Sequence, residues 1–129
     1  EQCNVNLSLE TDLDPIQFEK LLTKLDSPYV TVNYDIGNSA ALGYDYRNEL
    51  RSYGNRISDV HIKDRVLGSE TVMLGNGNAD IPGFFEALSQ YNYQGPFIMQ
   101  AYRDDEGLSV FKDQLSWFKK NVLSQWPAT

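Results

Sequence analysis

Glu10, Asp35, His61 and Gln100 are the residues of this chain whose types and spacing suit a shared chemical task. Successive members are 25, 26 and 39 residues apart, about one strand-plus-helix unit each. Each falls at or near the end of a different strand-like run, on the polar side of that run. Two carboxylates, an imidazole and an amide oxygen meeting at one point form a donor set for a hard or borderline divalent cation. Mn²⁺, Co²⁺, Mg²⁺ and Zn²⁺ all suit it. Such a cation polarises a carbonyl or hydroxyl as a Lewis acid. Taken singly, each residue has a plainer reading: His61 as a hydrogen-bonded structural histidine, Glu10 as a carboxylate at a helix N-terminus, Asp35 as a turn former, Gln100 as a core amide. It is the alignment of the sole histidine with the two acids that points to ligation.

The elements that must position these residues alternate. A first strand is expected over residues 4–10 (NVNLSLE), followed by a helix opening at Asp14-Pro15, with Asp as N-cap and Pro at the first helical position. Phe18, Leu21, Leu22 and Leu25 then recur at helical spacing. A second strand is expected over 29–36 (YVTVNYDI), a loop over 37–43, and a helix over 45–53 with Tyr46, Leu50 and Tyr53 on one face and Gly54 as its stop. A third strand, 57–64 (ISDVHIKD), leads into a long loop over 65–80 and a short helix carrying Phe84, Phe85 and Leu88. A fourth strand, 96–102 (PFIMQAY), precedes a last helix over 106–125. There Leu108, Phe111, Leu115, Phe118 and Val122 make one apolar stripe, and Trp117 and Trp126 are packing residues.

Strands that alternate with helices imply parallel pairing and crossover connections. In a doubly wound sheet, strands buried on both faces read as near-continuous apolar runs. These strands instead alternate. Val5, Leu7 and Leu9 oppose Asn6, Ser8 and Glu10; Val30, Val32 and Tyr34 oppose Thr31, Asn33 and Asp35; Val60 and Ile62 oppose Asp59, His61 and Lys63; Met99 opposes Gln100. One face is apolar for covering helices, and the other turns polar toward the strand C-termini. That describes the top of a (β/α) barrel, which needs eight strands and about 250 residues. With 129 residues and four strands, the expectation is α/β: a (β/α)₄ half of a TIM barrel, forming one domain over residues 1–129.

Composition narrows the function. The net charge of −7 and pI near 4.5 argue against a nucleic-acid binder, which needs a basic face. No apolar run reaches the 18 to 20 or so residues of a membrane span. The opening EQCNVNLSLE lacks a signal-peptide pattern and begins without Met. Cys3 is the single cysteine, so neither an internal disulfide nor a cysteine-based cluster can form, and it is expected to be inert. A reducing cytoplasm is the expected compartment.

Five segments carry a resemblance: LETD at 9–12, YDIGNSAALGYD at 34–45, DVHIKD at 59–64, LGNGNAD at 74–80 and GPFIMQAYR at 95–103. In order and at this spacing they resemble the sugar-phosphate isomerase/epimerase family of the xylose-isomerase-like TIM-barrel superfamily. The likeness is to L-ribulose and L-xylulose 5-phosphate epimerases and to hexulose-6-phosphate isomerases. It covers nearly the whole chain but the C-terminal half of a typical member, so the strands would be the fifth to eighth of a barrel. The resemblance implies a divalent-metal site of Glu10, Asp35 and His61, with Gln100 where the family carries a second glutamate. In the family the two glutamates act as paired acid and base. A glutamine ligates through its carbonyl oxygen but takes no proton at neutral pH. This departure favours Glu10 as a single base in an isomerisation or epimerisation of a ketose or ketose phosphate. A related sugar dehydratase and a non-catalytic half-barrel with a vestigial site are the alternatives.

Other residues suit substrate binding. Asn33 and Asn38 flank Asp35 and could meet sugar hydroxyls or orient a ligand residue. Lys63, Arg65 and Arg103 are surface charges or partners for an anionic substrate. The Gly75-Asn76-Gly77 turn could present backbone N–H groups to a phosphate, in a loop at the position where barrels often bind one. Half a barrel leaves two open sheet edges, so homo-oligomerisation is expected.

Overall fold

The computed structural model of the protein describes residues 3–105 and 107–126. In chain order the elements are β1 (Leu7–Leu9), α1 (Pro15–Leu25), β2 (Val30–Asp35), α2 (Ile36–Leu42), α3 (Tyr46–Tyr53), β3 (Ile57–Ile62), β4 (Asp64–Arg65), β5 (Thr71–Val72), α4 (Ile81–Leu88), β6 (Phe97–Met99) and α5 (Leu108–Phe118). A π-helical turn, Lys119–Leu123, continues α5. The expected start of the last helix at Glu106 lies outside the described residues.

Four strands make one parallel sheet in the order β1-β2-β3-β6. The apolar sides of the central strands face the helices. Val32, Tyr34, Val60 and Ile62 are buried there with Phe18 and Leu22 of α1, Leu50 and Tyr53 of α3, Phe84, Phe85 and Leu88 of α4, and Phe118. Each large apolar side chain buried this way contributes about 1.5–3 kcal/mol. Local sequence sets the helix ends. Asp14 caps α1 by accepting from Ile16 N at 3.0 Å and Gln17 N at 2.9 Å, and Asp26 ends it in the left-handed region at φ 37°.

The opposite face of the sheet is polar from its base. Ser8 and Ser58 hydroxyls both donate to Asp59 Oδ1 at 2.6 Å, and Ser58 also reaches Thr31 Oγ1 at 2.8 Å. An irregularity in the β2/β3 pairing decides what lies above this layer. Val32 pairs with Ile57, but Asn33 pairs with Asp59 and Asp35 with His61. Two residues of β3 thus stand opposite one step of β2, with Ser58 as the extra residue. A one-residue shift exchanges the faces of every later side chain. Ile57, Val60 and Ile62 can therefore all be buried on the helix side, while Asp59 and His61 join Asn33 and Asp35 on the polar side.

Several expectations need correction. Residues 37–43 are not a loop: α2 starts directly after β2, because Asp35 caps it through Asn38 N and the Ser-Ala-Ala-Leu stretch continues it to Gly43. Gly54 does cap the C-terminus of α3, as expected, but without a left-handed turn. It keeps helical angles in a short 3₁₀ turn, and its missing Cβ makes room for the Tyr91 ring, 2.8 Å from where that carbon would lie. The 65–80 loop contains an antiparallel ribbon, β4 with β5. On α5, Val110, Gln114 and Phe118 are buried, whereas Leu108 is 65% exposed and Phe111 39%. The stripe turns outward at its first turn, where the helix lies beside the sheet edge. β1 is likewise shorter than expected; Leu7 on this edge strand and Val5 just before it are exposed.

Candidate metal centre

Glu10 follows β1, Asp35 closes β2 and His61 lies one residue before the end of β3. Asp35 and His61 are register partners, so their side chains leave the same face of adjacent strands. One donor atom from each of Glu10, Asp35 and His61 lies within 4.8 Å of the others. His61 Nδ1 is 3.7 Å from Glu10 Oε2 and 3.7 Å from Asp35 Oδ2. These gaps are too long for hydrogen bonds. They are short enough for one ion with bonds of about 2.0–2.2 Å to reach both atoms.

The hydrogen-bond inventory tests the fit to a cation. Asp35 Oδ2 and His61 Nδ1 are buried and accept or donate no hydrogen bond. Buried polar atoms left without partners are uncommon and costly. Here two of them face one point. Asp35 Oδ1 accepts from Asn38 N at 2.8 Å, and His61 Nε2 lies 3.1 Å from the side-chain amide of Asn33, whose Oδ1 is also buried without a partner; a metal on Nδ1 puts the ring proton on Nε2, facing that amide. Glu10 is held by two amides, Asn38 Nδ2 to Oε1 at 2.8 Å and Asn33 Nδ2 to Oε2 at 3.2 Å. The donor set of two carboxylates and an imidazole nitrogen therefore fits a divalent ion.

Gln100 is linked to these three by Lys63. It lies just past β6 and accepts from Lys63 Nζ through Oε1 at 3.1 Å. Lys63 Nζ in turn lies 3.6 Å from Asp35 Oδ2, so Gln100 reaches the centre through the lysine. Asn33 and Asn38 touch Glu10 directly. Arg65 Nη1 donates to Asn38 Oδ1 at 2.9 Å, and its Nε and Nη2 donate to Ser69 O, so this cation is anchored and orients the Asn38 amide toward Glu10. Arg103 is exposed and lines a groove with Gln100, Tyr102, Leu108 and Phe111.

The Gly75 and Gly77 amides do not face a free phosphate pocket. Both donate to Asp64 Oδ2 at 2.9 Å, and Ala79 N donates to Asp64 Oδ1 at 3.1 Å. Asp64 is fully buried and serves this loop as its internal anion. The signal for this was an acid directly after His61-Ile62-Lys63, ahead of a Gly-x-Gly turn. A second buried acid had no signal of that kind. Glu49 of α3 accepts from Tyr34 at 2.6 Å, from Tyr53 at 2.9 Å and from Ser39. Burial first, and the charge of Glu49 second, push the Tyr34 and Tyr53 hydroxyls well above the usual tyrosine range. Both stay protonated as donors; the Tyr53 bond lies within α3, and the Tyr34 bond ties α3 to β2, the strand that carries Asn33 and Asp35.

The family described as xylose isomerase-like TIM barrel matches residues 1–121. The chain belongs to this family. It is 33% identical over 102 residues to an L-ribulose-5-phosphate 3-epimerase of Escherichia coli, a match covering 76% of this chain and 36% of that enzyme. Among solved structures, a xylose isomerase domain protein from Planctomyces limnophilus superposes with a TM-score of 0.76 at 19% identity, covering 90% of this chain and 48% of the other. A xylose isomerase-like TIM barrel protein from Mycobacterium smegmatis, solved in complex with magnesium, superposes at 0.64 with 19% identity, covering 92% and 43%. The chain thus spans less than half the length of the relatives it matches. Its four parallel strands and their helices are a partial TIM barrel of the xylose isomerase type.

Proposed function

We propose that residues 1–129 form the C-terminal half of a metal-dependent isomerase or epimerase acting on a ketose or ketose phosphate. The observation that carries this reading is the pair of unpartnered buried atoms, Asp35 Oδ2 and His61 Nδ1, facing each other beside Glu10. Glu10, Asp35 and His61 would hold the ion. When bound, a divalent ion supplies Lewis-acid polarisation of the sugar carbonyl and its neighbouring hydroxyl.

The remaining chemistry belongs to the side chains. Glu10 is the one carboxylate of the centre with substantial exposure, 37% for its side chain against 1% for Asp35. It can take a proton from the hydroxyl-bearing carbon beside the carbonyl and return it to the carbonyl carbon, while the hydroxyl proton passes to the carbonyl oxygen. Asn33 and Asn38 fix its two oxygens, so the base is oriented before substrate arrives. Gln100 cannot serve as a second base, which supports single-base chemistry over a two-base inversion. Arg103, exposed on the groove beside Gln100, would meet the anionic end of a phosphorylated substrate.

A second reading, a folded half-barrel without turnover, draws support from the polar face of the sheet. Among the described residues nothing covers it, and β1 and β6 each have one strand neighbour. Self-association that closes these edges would join the two readings. The test is one preparation assayed three ways: metal content, mass in solution, and isomerase activity on a panel of ketose phosphates with Mn²⁺. We expect about one metal per chain, a mass above that of a monomer, and loss of both metal and turnover in His61→Ala. Metal content unchanged by His61→Ala would refute the centre. A strict monomer at micromolar concentration would refute the association.

A further inference from the structure

We propose that Lys63 is an internal cation of this centre: it shares Asp35 with the divalent ion and, through Gln100, sets how tightly that ion is held. The inference rests on the metal-dependent reading above and extends it to a residue that is not a ligand.

Asp35 has one oxygen available to a cation. Oδ1 is taken by Asn38 N, and Oδ2 is the buried atom without a hydrogen-bond donor. That oxygen is approached from two directions, by His61 Nδ1 at 3.7 Å and by Lys63 Nζ at 3.6 Å. The lysine is not a mobile surface arm, since its side chain is 17% exposed. Its stem packs on Gly37 so closely that a Cβ there would fall 2.8 Å from Lys63 Cγ and 3.0 Å from Lys63 Cβ. The ammonium is therefore delivered between Asp35 and Gln100 by packing as well as by charge.

The charges at the centre explain the consequence. Glu10 and Asp35 are the two acids, Lys63 is a fixed positive charge beside one of them, and Gln100 is neutral. A carboxylate at position 100 would neutralise the lysine and release Asp35 to the metal. An amide oxygen accepts the lysine's hydrogen bond but cancels none of its charge. Lys63 therefore lowers the charge that Asp35 offers and repels an incoming dication at short range. The same ammonium keeps a positive charge beside the substrate position whether or not the metal is present.

The experiment uses the full chain with Mn²⁺ as the sole probe, titrated by calorimetry and by the loss of the free-ion EPR signal. Lys63→Met should bind Mn²⁺ roughly tenfold more tightly than the wild-type chain, and Lys63→Arg should stay within about twofold of it. Gln100→Glu, at an exposed position that tolerates change, should tighten binding by roughly tenfold as well. A carboxylate at position 100 can add a metal donor of its own, so Lys63→Gln takes the place of Lys63→Met if that variant does not fold. Wild-type binding with no tightening in Lys63→Met or Gln100→Glu overturns the role of Lys63 and leaves the metal reading standing. No Mn²⁺ binding by any of the four proteins overturns both.

Discussion

Replacing Asp64 by Asn changes one atom of a buried side chain and should be costly. Asp64 Oδ2 receives N–H groups from Gly75 and Gly77, and Oδ1 receives that of Ala79. In the better orientation the amide oxygen of Asn keeps the two glycine bonds and turns its NH₂ toward Ala79 N. Two donors then face each other in a buried space. An unsatisfied buried donor costs about 1–3 kcal/mol, and the surviving bonds drop from charged to neutral strength, about 1 kcal/mol each. Relief of the buried charge returns part of this. The net expectation is a loss of about 2–4 kcal/mol for Asp64→Asn and about 3–5 kcal/mol for Asp64→Ala. In a chain of this length that lowers Tm by roughly 6–15 °C for Asp64→Asn. Urea denaturation followed by circular dichroism gives the energy. Amide exchange at Gly75, Gly77 and Ala79 shows whether the loop has lost its anchor. An Asp64→Asn protein within about 0.5 kcal/mol of wild type, with those three amides still protected, would refute the assignment of Asp64 as the organising anion.

Two further predictions address the strand that aims His61 and the buried tyrosines. Deleting Ser58 removes the extra residue of β3 and leaves Ile57, Asp59, Val60 and His61 in regular alternation on the faces they already occupy; Mn²⁺ binding should therefore survive the deletion, whereas one residue inserted between Asp59 and Val60 should turn His61 to the helix side and abolish binding, and the reverse pattern would refute the register argument. Tyr34, Tyr53 and Tyr93 all hold their protons more tightly in the folded protein than tyrosine does in an unfolded chain, because burial disfavours the phenolate. Their stabilising contribution is fully present below the unfolded value of about 10 and is lost as pH rises above it. Stability measured by urea titration should therefore fall above about pH 10, less steeply in Tyr53→Phe, and a flat profile to pH 11 would refute it.

The sequence made the sheet legible because alternation is a strong signal where one face is apolar and the other is not. Val32 and Tyr34 against Asn33 and Asp35, and Val60 and Ile62 against His61, fell on the sides the pattern assigns. Glu10, Asp35 and His61 converge as their positions near strand ends required. What was hidden depends on contacts between distant segments. Ser58 is opposed by no separate residue, and nothing in ISDVHIKD announces that the pairing shifts there. Gly75 and Gly77 look like an anion-binding turn and are one, but the anion is Asp64 of the same chain. Lys63 looked like a substrate contact, and only the packing of its stem on Gly37 shows it directed at Asp35. Leu108 and Phe111 obey helical spacing yet face outward, because a periodic stripe does not say how far its neighbour extends.

The same geometry links the chemistry to the open half of the barrel. The polar face rises from a layer of hydroxyls, Ser8, Ser58 and Thr31 around Asp59, to the ionic cluster of Glu10, Asp35, His61 and Lys63. Exposed apolar side chains gather instead at the two edges: Val5 and Leu7 by β1, and Ile98, Leu108 and Phe111 by β6. Water reaching a charged site weakens every electrostatic term in it. A cover that pairs the edges and buries those apolar residues would also remove water from Glu10, the one acid of the centre that is well exposed. On the proposed function, closing the barrel and drying Glu10 would then be one event. If the surface that completes the fold is also the wall of the site, metal affinity and oligomeric mass should rise together with protein concentration, and a metal affinity independent of protein concentration would refute the link.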